Sequence, residues 1–118
     1  MRNIHNRFIR ILEIELDDLK EDIQLLIDEC ERQHQDGKTT PYVHKSNVAV
    51  FRSEEKGMEH FKEALRHLVV DESDDLESLI AKSRLAFRQK IQSCSLAPFI
   101  EELVERKMQK VRRYIEAK

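Results

Sequence analysis

The chain has 118 residues, of which 37% are charged and 40% hydrophobic, and its formal net charge is −2. This length fits one domain, and the hydrophobic fraction excludes a chain that is disordered throughout. Two glycines and two prolines are too few for a β-sandwich or barrel, which needs a turn about every 8–12 residues. We therefore predict a single helical domain over residues 1–118.

The first predicted helix runs from about Asn3 to Gln35 and carries a coiled-coil seam. The seam consists of Ile9, Leu12, Leu16, Leu19, Ile23, Leu26 and Cys30. Its alternating steps of three and four residues are those of the a and d positions of a heptad. A second apolar line crosses the N-terminal half, whereas a surface helix shows one stripe. We therefore expect residues 4–16 to be buried on two sides or to meet a second copy of the chain.

The second predicted helix runs from Pro41 to about Val70. Gly37 is expected to end the preceding helix, and Thr40 to cap the new one. The seam of this helix consists of Val43, Asn47, Val50, Glu54, Met58, Phe61, Leu65 and Leu68. Because an unpaired buried polar group is costly, we expect the two polar members to lie outside a dry core. Gly57 weakens the helix locally and predicts a kink or a break around Arg52–Gly57.

Two shorter helices follow. The third is predicted to start at Ser73 as N-cap and to end near Ser93, and the fourth to start near Ser95 with Pro98 in its first turn. The predicted fold is therefore an all-α, antiparallel four-helix bundle with two long and two shorter helices, completed by dimerisation. The long pair either extends beyond the short pair or is covered by another subunit.

The predicted dimer interface lies in the N-terminal half of the first helix, where large apolar side chains cover more than half of the circumference. The interface residues are Ile4, Phe8, Ile9, Ile11, Leu12, Ile14 and Leu16. An apolar surface of this size is unusual on a soluble monomer and typically marks a contact. Two-fold pairing is the commonest way to cover it.

Two groups of side chains have the spacing of metal ligands. Cys30 and His34 lie one helical turn apart, and His60, Glu63 and His67 share a face of the second helix. Neither group supplies the four ligands of a structural zinc site, so we predict no metal or cofactor. Without a glycine-rich phosphate loop or a nucleophile motif, we also predict no catalytic residues. Weak metal binding stays open as an alternative.

Charge is distributed unevenly along the chain. Residues 1–78 contain 11 basic and 19 acidic residues, and residues 79–118 contain 10 and 4. The basic stripe Arg106, Lys110 and Arg113, with Lys107 and Arg112 beside it, could follow a phosphate backbone. The acidic stripe Glu13, Asp17 and Glu21 could instead pair with it. We therefore treat nucleic-acid binding as an alternative and expect internal pairing.

The remaining features indicate a reducing compartment. Cys30 and Cys94 are too few for a disulfide scaffold, and both lie on apolar stripes, so we predict buried, reduced, unreactive thiols. The longest stretch without a charge, Ile91 to Ile100, is about half the length of a membrane span. The sequence thus predicts a cytoplasmic, non-enzymatic module that forms a homodimer and binds a protein partner of unknown identity, without contact to a membrane.

Overall fold

A computed structural model describes residues 2–96 and 99–117 of the chain. Every regular element in these ranges is an α-helix, as predicted. The four helices are α1 (Arg2–Gln35), α2 (Pro41–Arg66), α3 (Leu76–Ser93) and α4 (Phe99–Glu116). Two long helices are therefore followed by two shorter ones.

The turn between α1 and α2 forms as the sequence predicts. Gly37 has a φ of +73°, a left-handed conformation that glycine adopts without steric cost. Thr40 has extended backbone angles, and its side chain accepts a hydrogen bond from the Val43 N–H at 3.2 Å. This N-cap satisfies one of the free amides of the first turn, and Pro41 occupies the position where a missing N–H costs nothing.

The boundaries of the other helices differ from the prediction. Helix α2 ends at Arg66, four residues early. Helix α3 is capped by Asp75 rather than Ser73, because the Asp75 carboxylate accepts from the Ser78 N–H at 2.9 Å. Aspartate is as good an N-cap as serine, so sequence alone did not separate the two. The predicted role of Pro98 lies outside the described residues.

Helix α2 continues through Gly57 without a break, so the break predicted as one of two alternatives around Arg52–Gly57 does not occur. A Cβ atom at this position would lie 3.2 Å from Cδ1 and 3.4 Å from Cγ2 of Ile100. The glycine therefore lets the first turn of α4 approach the backbone of α2 closely. Its cost in helix propensity is offset by this packing.

The core is built from all four helices. Its largest fully buried side chains are Phe8, Leu12, Leu16, Ile23, Ile27, Met58, Phe61, Leu65, Leu79, Ile80, Phe87 and Ile100. The rings of Phe61 and Phe87 meet at a centroid distance of 4.8 Å, which joins α2 to α3. This packing is that of a helical bundle.

The long pair extends beyond the short pair. Helix α3 ends where Cys94 contacts His60, and α4 begins where Ile100 contacts Gly57. Residues 41–56 of α2 therefore continue for about 24 Å, at 1.5 Å per residue, and among the described helices α1 packs along them, where it contacts Arg52 and His44. The elongated molecule measures 56 × 31 × 18 Å. We call residues 21–35 of α1 and 41–56 of α2 the distal segment, and the four-helix remainder the proximal half.

Candidate functional site

The seven apolar residues of the predicted dimer interface differ in burial. Three of them are fully buried within the chain: Phe8, Leu12 and Leu16. Three are half-buried against the core: Ile4, Ile9 and Ile11. Ile14 is exposed. The expected two-sided burial of residues 4–16 is thus provided largely by the chain's own helices. What this part of α1 offers to a partner is its half-buried edge and Ile14.

The distal segment leaves a different apolar face open. Seam residues of both long helices are partly uncovered there: Leu26 is 48%, Val43 41% and Val50 49% exposed. Ile23 and Ile27, in contrast, are buried. In the distal segment, Ile23 and Ile27 are therefore shielded from water, while the neighbouring seam residues contact it.

Glu54 lies where the distal segment joins the proximal half. Asn47 is exposed as expected, but Glu54 is only 7% exposed, so the expectation that it would avoid the core was wrong. Burial raises the pKa of the Glu54 carboxyl above its ordinary value, because water stabilises the charged form better than protein does. Glu54 is buried because it occupies a seam position of α2, and the next seam residue, Met58, lies in the core.

Two imidazole rings meet near the tip of the distal segment. His34 and His44 are stacked with a centroid distance of 4.3 Å and an interplanar angle of 11°, and His44 Nε2 lies 3.4 Å from Glu31 Oε1. The Nδ1 atoms of both rings are buried without a hydrogen-bond partner among the described residues. Cys30 is half-buried. The ring contact joins α1 to α2 close to the turn.

The second group with metal-ligand spacing, His60, Glu63 and His67, does not converge on one point. His60 contacts Cys94 across helices, with Nδ1 and Sγ 3.6 Å apart. His67 Nδ1 lies 2.9 Å from the backbone oxygen of Glu63, and the Glu63 carboxylate faces Lys90. Across residues 2–96 and 99–117, no three His, Cys, Asp or Glu side chains are placed to hold a metal ion together.

Both thiols are more accessible than predicted. Cys30 and Cys94 are free and half-buried rather than fully buried. Cys94 caps the C-terminus of α3, where it packs against the edge of the core and contacts His60. The apolar periodicity predicts a buried position for Cys94 because it does not show that the helix ends there.

Cations of the basic stripe are paired within the chain, although not with the predicted acids. Lys107 and Lys110 contact the carboxylate of Glu15 at 3.3 and 2.8 Å, and Arg112 contacts Glu77 and Glu116. Lys110, chiefly through its hydrogen bond, and Lys107 lower the pKa of Glu15. Of the predicted acidic stripe, Asp17 instead binds Lys62. The expected partner was wrong because α4 packs along the Glu15 side of α1.

A groove of about 670 Å³ lies between α2, the segment that follows it, and α3. Its apolar lining residues are Ala64, Leu68, Val69, Leu85 and Ala86, and its polar ones His67, Lys82, Gln89, Lys90 and Ser93. A cleft of this volume that combines apolar side chains with several polar ones lies in the range of small-molecule sites.

Sequence reasoning missed this groove. The apolar periodicity of the third helix does not include Leu85. The sequence also predicts Val69 inside α2, although the helix ends before it. An exposed leucine between Lys82 and Lys90 on a helix was the available signal. It became meaningful only when α2 and α3 were placed side by side.

The chain was compared with protein-family models, curated proteins and solved structures, and no match was found in any of them. A search of the described helices for a stretch long and apolar enough to cross a lipid bilayer found none.

Proposed function

We propose that the chain is a non-enzymatic interaction module that self-associates through the apolar face of its distal segment. The observation that supports this is the partial exposure of Leu26, Val43 and Val50 on the seams that are buried in the proximal half. An apolar surface that continues a core outward marks a contact more often than an isolated exposed residue does.

A second copy is the occupant that fits this face best. Glu31 contacts His44, Lys20 contacts Glu59, and Asp17 contacts Lys62. Residue numbers therefore fall along α1 as they rise along α2, which supports antiparallel packing of these two helices. Two such pairs related by a two-fold axis place four helices around one core, as in the proximal half. The dimer then covers the part of the seam that α3 and α4 are too short to reach.

The size of the face argues for weak association. Six aliphatic side chains, three from each copy, that are already about half-buried contribute several kcal/mol at about 25 cal/mol per Å². Loss of translational and rotational freedom opposes this with a cost of similar size. We therefore expect a dimer that forms with rising concentration and is not required for folding. Exposed Ile14 gives the predicted N-terminal interface a smaller contribution.

Sedimentation velocity over micromolar to millimolar concentration tests the proposal. The unchanged chain should shift toward dimer mass, Leu26→Glu should stay monomeric, and Leu25→Glu should dimerise like the unchanged chain. Leu25 is the matched control because it is adjacent and 66% exposed but lies outside the seam. Ile14→Glu distinguishes the two surfaces, since it should weaken the dimer only slightly.

A chain that stays monomeric at millimolar concentration would overturn the proposal. A dimer abolished by Ile14→Glu and unaffected by Leu26→Glu would place the interface in the N-terminal half of α1 instead.

A further inference from the structure

We infer that the groove between α2 and α3 binds a small amphiphilic carboxylate, with an apolar tail along the groove and the anionic head at Lys90. This site is separate from the distal segment, and the inference does not depend on self-association.

The floor and walls of the groove favour an aliphatic tail. Ala64 on α2 is buried and Ala86 on α3 is half-buried, and their small side chains leave depth between the two helices. Leu68 and Leu85 line the same groove, and Leu85 is 59% exposed. Covering a leucine that faces water is favourable in proportion to the apolar area removed from it.

The two lysines of the groove differ in how firmly they are held. Lys82 Nζ donates to Asp74 Oδ2 at 2.5 Å and to the Val69 carbonyl at 3.2 Å, so its charge is already neutralised by a close carboxylate. Lys90 Nζ is 3.4 Å from Glu63 Oε1, which is beyond the usual length of a charge-assisted hydrogen bond. Lys90 is therefore the cation that can turn to an incoming anion.

The surroundings of Lys90 complete a head-group site. Gln89 and Ser93 line the same end of the groove and carry donors for the oxygens of a carboxylate. The apolar residues Leu68 and Val69 lie toward the Lys82 end, where Lys82 binds the Val69 carbonyl. Lys82, at the other end of the groove, is held by Asp74 at 2.5 Å, so the less tightly held cation, Lys90, lies at one end only, which matches a ligand with one charged end.

A titration with sodium dodecanoate below its micelle concentration, followed by calorimetry and by amide chemical shifts, tests the inference. Saturable binding to one site is expected, with the largest shifts at groove residues. Dodecyltrimethylammonium, which has the same tail and the opposite charge, should bind at least about tenfold more weakly, since it cannot use a charge-assisted bond to Lys90.

Matched variants locate the site. Leu85→Asp should weaken dodecanoate binding by about tenfold or more, whereas Leu25→Asp, at an exposed position of the distal segment that does not line the groove, should not change it. Lys90→Met should weaken dodecanoate without weakening dodecanol, and Lys56→Met should leave both unchanged. Leu26→Asp, which removes the distal face, should also bind dodecanoate normally, so that failure here and failure of self-association are distinguishable.

Several results would overturn the inference: no saturable binding, equal binding of the cationic amphiphile, or equal effects of Leu85→Asp and Leu25→Asp. Binding of an acidic amphipathic peptide to a groove that rejects dodecanoate would likewise overturn it. Because Leu85 is exposed, its variant should unfold at the same temperature as the unchanged chain.

Discussion

Leu12 and Leu26 occupy the same position of the heptad in α1, two repeats apart, yet Leu12 is fully buried and Leu26 is 48% exposed. The same contrast exists on α2, where Val50 is half exposed and Ala64, two repeats later, is buried. The proximal half surrounds these positions with four helices, and the distal segment with two. Burial at these positions therefore depends on how far α3 and α4 reach, although Ile23 and Ile27 of the distal segment are buried; the helical repeat is the same in both regions.

The comparison also separates stability from interaction. A seam residue with four helices around it contributes to the free energy of unfolding, while one with a single neighbouring helix is free to contribute to association. Substitutions at equivalent heptad positions should therefore have different consequences in the two regions.

The largest effect on the free energy of unfolding is expected when the two equivalent leucines, Leu12 and Leu26, are each replaced by alanine. Leu12→Ala leaves a cavity in a packed core and should lower the free energy of unfolding by about 2–5 kcal/mol. Leu26→Ala removes a half-solvated side chain and should cost less than about 1 kcal/mol in the monomer. Urea unfolding of dilute protein measures both. Equal costs would show that the distal segment is as tightly packed as the proximal half.

Gly57, at the junction of the two regions, gives the next largest effect. Gly57→Leu places a large side chain against Ile100 and should destabilise the chain by about 1–3 kcal/mol through overpacking. Gly57→Ala should be close to neutral, because the gain of about 1 kcal/mol in helix propensity is offset by a Cβ contact at 3.2 Å. Thermal unfolding of both variants checks this, and a strongly stabilised Gly57→Ala would mean that Ile100 moves aside freely.

Much of the fold could be predicted from the sequence because it depends on local signals. Apolar steps of three and four residues identify the helices, and Gly37, Thr40 and Pro41 mark the turn between the first two. What could not be predicted depends on contacts between helices. The sequence does not show that α4 approaches Gly57, that Glu15 and not Glu13 faces Lys110, or that the helices of the chain itself cover Phe8.

Glu54 gives a smaller effect, with a distinct pH dependence. Its pKa is raised in the folded state by burial, so its charge opposes folding once the pH exceeds the ordinary carboxyl range. As the pH rises through the raised pKa, stability is lost, and Glu54→Gln should recover about 1 kcal/mol at neutral pH. The exposed Glu21→Gln is the control and should change little.

The measurement is the difference in unfolding free energy between Glu54→Gln and the unchanged chain from pH 4 to pH 8. The difference should grow with pH and then level off. A constant difference would show that the carboxyl is solvated in the folded chain, and the junction would then be as open as the distal segment.

The smallest effect is expected at a charged contact between two helices of the proximal half. Arg84 on α3 donates to both oxygens of Glu105 on α4, at 3.0 and 2.6 Å, and this contact lowers the pKa of Glu105. Because both side chains are partly exposed, a double-mutant cycle with alanine should give a coupling of about 1 kcal/mol. The exposed pair Arg106–Glu102 lies within α4 and should give no more than about 0.5 kcal/mol.

The Arg84–Glu105 contribution to stability is present above the ordinary carboxyl pKa and should be lost as the pH falls through the lowered pKa of Glu105. This pH dependence is opposite in sign to that of Glu54. Equal coupling in the two pairs would show that the contact between helices is no stronger than an exposed pair, and a coupling that does not weaken in acid would show that it does not depend on the ionised carboxylate of Glu105.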